Sequence, residues 1–150
     1  MRYTHYWATS AELPSIALWN TIRAQCNKAL AHFPITNTST TKKIEFDSAD
    51  DPHEYSLFTF PRAPQHFVHC RTFRTDYDLP VTICLLIIKH YAPNWLKITS
   101  DGQWEDWRPA VQFIQQHFKT ITFFAAERDF LELLDKDDEG YVPLKIATAS

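Results

Sequence analysis

A cluster of charged and polar side chains stands directly before the most apolar run of the chain. The stretch CRTFRTDYDLPVTICLLIIKHY (70–91) opens with Arg71, Arg74, Tyr77 and Asp78. Arginine offers a planar fork of donors, and a helix start attracts negative charge, so the cluster predicts an anion-binding or polar-ligand site. The alternative is a structural network, in which Asp78 caps the helix and Arg74 pairs with a neighbouring aspartate.

A second polar cluster follows a predicted strand at Ser100, Asp101 and Gly102. A carboxylate at a strand end could act as a base or a metal ligand. The alternative is structural: an Asp-Gly pair is typical of a turn, in which the glycine takes a positive φ. Trp104 lies in the acidic turn beyond and has no evident core role, so it is a candidate for a protein-contact surface, where tryptophan is enriched.

Histidine supplies the remaining candidates for catalysis. His5 and His90 could transfer protons, since imidazole titrates near neutral pH, and with Asp101 they are the candidates for catalytic residues. His66 and His69 point to opposite faces of a strand if that strand is regular, and no zinc-binding motif accompanies them. The sequence therefore predicts no metal site.

The composition excludes several classes of function. The chain has only two glycines, so it predicts neither a phosphate-binding loop nor a dinucleotide fingerprint, and no cofactor. The net charge of −3 provides no global basic field and argues against nucleic-acid binding without a local patch. No run is long enough to span a bilayer. Three cysteines without a C-x-x-C pair predict buried, reduced thiols and a cytoplasmic protein.

The hydrophobic patterning predicts one α+β domain over residues 1–150, with a mixed or antiparallel sheet packed against about three helices. A helix is predicted from Ser10 to Phe33, with Ser10 as its N-cap. A buried central helix is predicted over 79–91, and its rival is a buried strand because of its β-branched residues. A third helix is expected after a cap at Asp106. Residues 120–150 are a C-terminal extension of uncertain structure, with a strand predicted in TITFFAA and a helix in ERDFLELLDK.

Polar as well as apolar positions between Cys70 and Trp107 match a known pattern. The pattern is close to F-C-K-T-A-R-K-P-Y-D, followed by an apolar helix with a Lys-His end, a strand and S-S-D-G. The residues that match it here are Cys70, Thr72, Arg74, Tyr77, Asp78, Lys89, His90, Ser100, Asp101 and Gly102. This stretch, with the opening YTHYW, resembles a family of small uncharacterised bacterial and bacteriophage proteins. Departures are Arg71, Phe73, Thr75, Asp76 and Thr99. The resemblance implies a fold and a candidate site but no reaction.

These observations favour a small cytosolic binding or regulatory module of bacterial or phage type, which takes a protein partner or a small anionic ligand. Its predicted surface combines Arg71, Arg74, Tyr77, Asp101 and Trp104, with Asp78 and Ser100 as further ligand-binding candidates. The alternative is a small hydrolase or transferase acting on a phosphorylated or nucleotide-like substrate. In that case Arg74 holds the anion, Asp101 is the base, and His5 or His90 shuttles protons. A homodimer is a further possibility.

Overall fold

A computed structural model describes residues 3–49, 57–73, 75–121 and 142–144. Within these ranges the chain forms seven strands and three helices, which together make an α+β domain. The predicted fold class is confirmed, with two antiparallel sheets in place of the single sheet expected. The strand predicted in TITFFAA and the helix predicted in ERDFLELLDK lie almost wholly outside the described residues.

The larger sheet has the strand order β5-β1-β6-β7. Its strands are β1 (Thr4–Thr9), β5 (Gln65–Arg71), β6 (Leu96–Ser100) and β7 (Val142–Leu144). β1 lies between β5 and β6 and pairs antiparallel with both. The inner face of β1 carries His5 and Trp7, both buried, while its outer face carries Tyr6 and Ala8, both half-buried. This alternation is the period of two that a half-buried strand requires.

The smaller sheet has the order β2-β3-β4. It comprises β2 (Ile35–Asn37), β3 (Lys43–Ser48) and β4 (Phe58–Pro61). The Trp7 ring lies 5.4 Å from the Phe58 ring and 5.8 Å from the Phe60 ring, measured between centroids. The two sheets therefore meet through aromatic side chains of their inner faces.

The helices are α1 (Ile16–Leu30), α2 (Asp78–Tyr91) and α3 (Trp104–His117). α1 begins later than predicted, because Ser15 rather than Ser10 is the N-cap and its hydroxyl accepts a hydrogen bond from the Leu18 N–H. α3 begins with a capping box between Gln103 and Asp106, so Asp106 stabilises the helix start from its third position.

α2 is the buried central helix that the sequence predicted. Its residues from Pro80 to Lys89 are all buried, and it packs against α1, α3 and β6. The Lys89 ammonium group donates to the backbone carbonyls of Pro93 and Leu96, at 2.7 and 2.5 Å, so even this charged side chain is satisfied inside the protein. None of the helices in the described part of the chain is long and apolar enough to cross a membrane.

The edge strand β5 contains a bulge. Trp7 pairs with Val68 and Thr9 pairs with Gln65, so two residues of β5 lie opposite the single residue Ala8. One of those two, Phe67, has a φ of 44°, a left-handed conformation that glycine normally supplies at such a bulge. For a residue with a Cβ this conformation costs about 1–2 kcal/mol.

Candidate functional site

Three side chains distant in sequence form a continuous hydrogen-bonded chain at the start of α2. The His5 Nδ1 atom lies 2.7 Å from the Ser100 Oγ atom, and His5 Nε2 lies 2.6 Å from Asp78 Oδ1. His5 and Ser100 are paired residues on β1 and β6, and Asp78 is the first residue of α2. We call these three residues the relay. The imidazole is fully buried and makes edge-on contacts with the Tyr3 and Trp107 rings.

The hydrogen bonds of Ser100 fix the direction of the relay. The Ser100 oxygen accepts from the Gly102 backbone N–H at 2.8 Å and from the Trp107 indole N–H at 3.3 Å. Because these donors use both lone pairs, the hydroxyl proton must point to His5 Nδ1. His5 then carries its proton on Nε2 and donates it to Asp78. The proton order is Ser to His to Asp, as in a serine hydrolase, but the two ring nitrogens are exchanged. In the hydrolase triad Nε2 faces the serine and Nδ1 faces the aspartate.

The same contacts limit Ser100 as a nucleophile. The residue is only 7% exposed, and neither of its lone pairs is available to attack a substrate. A nucleophile needs both access and a free lone pair. In this arrangement the relay ties β1, β6 and the start of α2 together.

Asp78 joins the relay to the surface. Its Oδ1 also accepts from the Thr72 hydroxyl at 2.6 Å, and its side chain is 15% exposed. The predicted cap at Asp78 was wrong in its detail, because Tyr77 occupies the N-cap position and its side chain makes no capping hydrogen bond. The Asp78 charge still lies in the first turn, where it is favoured by the helix dipole.

A cleft of about 530 Å³ opens at Asp78, between the starts of α2 and α3 and the residues that follow α1. The polar residues of its lining are Thr75, Asp76, Asp78, Glu105 and Asp106, and the apolar ones are Phe33, Pro34, Leu79 and Pro109. We call this site the acidic cleft. Its described lining contains four carboxylates and neither lysine nor arginine. An anionic ligand is disfavoured at such a surface by charge repulsion.

The residues of the predicted binding surface do not all reach the surface. Tyr77 is buried. Its hydroxyl donates to the Phe46 carbonyl at 2.9 Å and accepts from the Phe58 N–H at 3.1 Å. Burial raises the pKa of the Tyr77 hydroxyl well above its ordinary value. Tyr77 therefore joins α2 to the smaller sheet and is not available to a ligand, which corrects the prediction.

The other predicted residues are dispersed. Asp101 is exposed, and its carboxylate accepts from the Thr4 backbone N–H at 3.0 Å. Arg71 is half-buried on β5. Arg74 lies outside the described residues, and of Trp104 only the backbone, at the start of α3, is described.

His90 lies away from the relay. It sits in the last turn of α2, twelve residues after Asp78, which corresponds to about 18 Å along the helix axis. Burial lowers the pKa of His90. Direct proton transfer needs hydrogen-bond contact, so His90 cannot act together with Asp78 or His5.

A metal site with three or more protein ligands and thiol catalysis find no support in the described ranges. Among those residues no group of three His, Cys, Asp or Glu side chains is placed to hold a metal ion. All three cysteines are free and buried, as predicted. Burial, together with the nearby Asp78 and Asp47 charges, raises the pKa of the Cys70 thiol well above its ordinary value, so a reactive thiolate is disfavoured.

The relay was missed as a unit, although each of its members was a candidate. Asp78 and Ser100 lie 73 and 95 residues from His5, and only the pairing of β1 with β6 places His5 beside Ser100. Local sequence patterns do not specify that pairing. The one sequence signal is that His5 shares the inward face of β1 with Trp7, where a polar side chain requires a partner.

Comparison of the chain with protein-family models, with curated proteins and with solved structures finds no match. The resemblance to small bacterial and bacteriophage proteins stays a prediction. Functional assignment therefore depends on the geometry of the side chains described above.

Proposed function

We propose that the protein is a binding module whose acidic cleft receives a lysine or arginine side chain from a partner protein. The observation that carries this proposal is the composition of the cleft, whose described lining contains four carboxylates together with apolar side chains. A long basic side chain has the matching structure, with an aliphatic stem and a cationic head. We further propose that the module works in the bacterial cytoplasm or during phage infection, in keeping with its free, buried cysteines.

The acids of the cleft differ in their availability. Asp106 Oδ2 accepts the Gln103 N–H, and Asp78 Oδ1 is occupied by His5 and Thr72. Asp76 is exposed, and Glu105 is exposed with Arg108 3.9 Å away, a weak surface pair. Asp76 and Glu105 are therefore the carboxylates best placed to meet an incoming cation, with Asp78 at the base of the cleft.

The apolar walls supply the remaining contact. Phe33 and Leu79 are half-buried, and Pro34 and Pro109 are exposed. The methylene groups of a lysine or arginine stem that cover these side chains remove apolar surface from water. Charge attraction then orients the partner and accelerates the encounter, while apolar contact slows dissociation.

The test measures binding of a fluorescent lysine-rich hexapeptide by anisotropy, with a glutamate-rich hexapeptide of equal length as the reference. We expect the lysine peptide to bind and the double variant Asp76→Asn with Glu105→Gln to weaken binding by about three- to tenfold. Added salt should also weaken binding, because exposed charges are screened.

The matched control is Glu12→Gln, an exposed acid outside the cleft, which should leave the affinity unchanged. Equal binding of the glutamate peptide, or an equal loss of affinity in the Glu12 variant, would show that the cleft is not the site.

The relay favours a second candidate, a hydrolase of the kind predicted as the alternative. The sequence assigned its chemistry to Arg74, to Asp101 and to either His5 or His90. The geometry keeps His5 but groups it with Ser100 and Asp78. In such an enzyme Ser100 Oγ attacks an ester, its proton passes through His5 to the leaving alcohol, and water releases the acyl or phosphoryl group. This requires Ser100 to give up its bond to Gly102 or Trp107.

Turnover of p-nitrophenyl acetate and p-nitrophenyl phosphate tests this candidate. A hydrolase loses at least about 10³-fold in turnover when Ser100 is changed to Ala, while the variant stays folded. Turnover at the background rate in the unmodified protein would reject the hydrolase and leave the relay as a structural element.

A further inference from the structure

Two histidines from opposite halves of the sequence lie against each other near the ends of α1 and α3. The centroids of the His32 and His117 rings are 4.7 Å apart, and the ring planes are inclined by 50°. His117 is the last residue of α3, and His32 directly follows Ala31, the C-cap of α1. We call these two residues the histidine pair. They belong neither to the relay nor to the acidic cleft.

One phenylalanine contacts both rings of the pair. The Phe113 ring lies edge-on to the His32 ring at 5.4 Å and lies 4.4 Å from the His117 ring, measured between centroids. Phe113 also packs against the Phe33 ring at 5.3 Å. These contacts restrict the rotation of both imidazoles. The pair is therefore held together before a ligand arrives, which lowers the entropy cost of binding one.

The ring nitrogens of the pair are available to a ligand. Within the part of the chain that the structure describes, neither imidazole forms a hydrogen bond or an ion pair. His32 is exposed and His117 is half-buried, so dissolved ions reach the pair from solvent. Imidazole nitrogen is the commonest metal ligand among protein side chains.

The separation of the two rings matches that of two imidazoles bound to one metal ion. A metal–nitrogen bond of about 2.0–2.1 Å places each ring centroid about 3.2 Å from the ion. Two rings in adjacent coordination positions of a tetragonal or tetrahedral ion are then about 4.5–5.2 Å apart. The 4.7 Å between the His32 and His117 rings lies within this range.

The position of the pair at two helix C-termini also favours a cation. The last carbonyl groups of a helix lack helical partners and carry about half a negative elementary charge together. α1 and α3 both end at the pair. The ammonium group of Lys28, in the last turn of α1, is held over the Phe118 ring, 5.0 Å from its centroid.

We propose that the histidine pair binds a divalent first-row transition-metal ion, Ni²⁺, Cu²⁺ or Zn²⁺, with water in the remaining coordination positions. Imidazole suits these ions, whereas Mg²⁺ and Ca²⁺ prefer oxygen ligands. The ion links the end of α1 to the end of α3, two helices that each pack against α2. Bound metal therefore stabilises the folded chain. This proposal does not depend on the function proposed for the acidic cleft.

The experiment titrates Ni²⁺ into the full chain, prepared without an affinity tag, in an isothermal titration calorimeter. We expect one Ni²⁺ ion to bind per chain and Mg²⁺ not to compete with it. His32→Gln and His117→Gln should each weaken binding by about tenfold or more, because each removes one of the two protein ligands. Ni²⁺ should raise the melting temperature of the unmodified protein, and this rise should be lost in both variants.

Two control variants separate the pair from other groups that attract metal ions. His66→Gln removes a single exposed histidine of β5 and should leave the Ni²⁺ affinity unchanged. Asp76→Asn with Glu105→Gln removes two acids of the acidic cleft and should also leave it unchanged. In NMR spectra, paramagnetic Ni²⁺ should broaden the ring signals of the pair before those of His66.

Three outcomes would overturn the proposal. The first is the absence of Ni²⁺ binding to the unmodified protein. The second is unchanged affinity in a folded His32→Gln or His117→Gln variant. The third is an equal loss of affinity in either control variant, which would assign the binding to isolated surface imidazoles or to the carboxylates of the cleft.

Discussion

Gly102 lies where the packing around a buried hydrogen-bond network leaves no room for a side chain. A Cβ atom added there would overlap the Tyr3 hydroxyl and lie 3.1 Å from both Ser100 Oγ and Trp107 Nε1. The predicted reason for the glycine, a positive φ, was wrong, because its φ lies outside that region. What excludes a side chain is the close packing around the Ser100 hydroxyl.

Gly102→Ala is therefore expected to destabilise the protein by about 1–3 kcal/mol, the usual cost of overpacking. Chemical denaturation of the variant measures this loss. The neighbour that must move is the Tyr3 hydroxyl, so a double-mutant cycle with Tyr3→Phe should recover at least about 0.5 kcal/mol. Additive effects of the two substitutions would place the strain elsewhere, at Ser100 or Trp107.

The helices were predicted from the sequence, whereas the strand pairings were not, for a physical reason. α2 was recognisable because an apolar run of helical length is flanked by a start signal at Asp78 and Pro80 and an end signal at Pro93. Those signals are local in sequence. β2 is only three residues long, which is too short a pattern to indicate a strand.

The candidate sites depend on contacts that local patterns do not contain. The acidic cleft combines residues that follow α1 with the starts of α2 and α3, and the relay combines β1, β6 and α2. His5, Asp78 and Ser100 were predicted individually from their chemistry. Tyr77 was predicted to lie on the surface, because a tyrosine beside arginines is typical of a ligand site. In the structure its hydroxyl instead connects β3 and β4.

The folded protein as a whole carries several ionisable groups whose pKa values are displaced by burial. Burial raises the pKa of the Cys70 and Cys84 thiols above the ordinary value and lowers the pKa of the Lys89 ammonium group and the His90 imidazole. Each displacement makes the free energy of unfolding depend on pH. The thiols and the two basic groups act in opposite directions.

The buried thiols predict a loss of stability in alkaline solution. Unfolded cysteines release their protons near pH 8.5, while Cys70 and Cys84 keep theirs in the folded state. The folded state then binds more protons, so the free energy of unfolding falls as pH rises above about 8.5. Each thiol contributes up to about 1.4 kcal/mol per pH unit. The lowered Lys89 pKa adds stability with rising pH and offsets part of one thiol's effect.

Urea denaturation between pH 7 and about 9.5, below the ordinary tyrosine pKa, in the presence of a reductant, measures this slope. Cys70→Ala and Cys84→Ala should each lower stability at pH 7 through a small cavity, yet each should make the alkaline decline shallower. Ile88→Val is the matched control: it removes one buried methyl group, costs about 1 kcal/mol, and should leave the slope unchanged. If the cysteine variants decline as steeply as the unmodified protein, groups other than these thiols cause the alkaline unfolding.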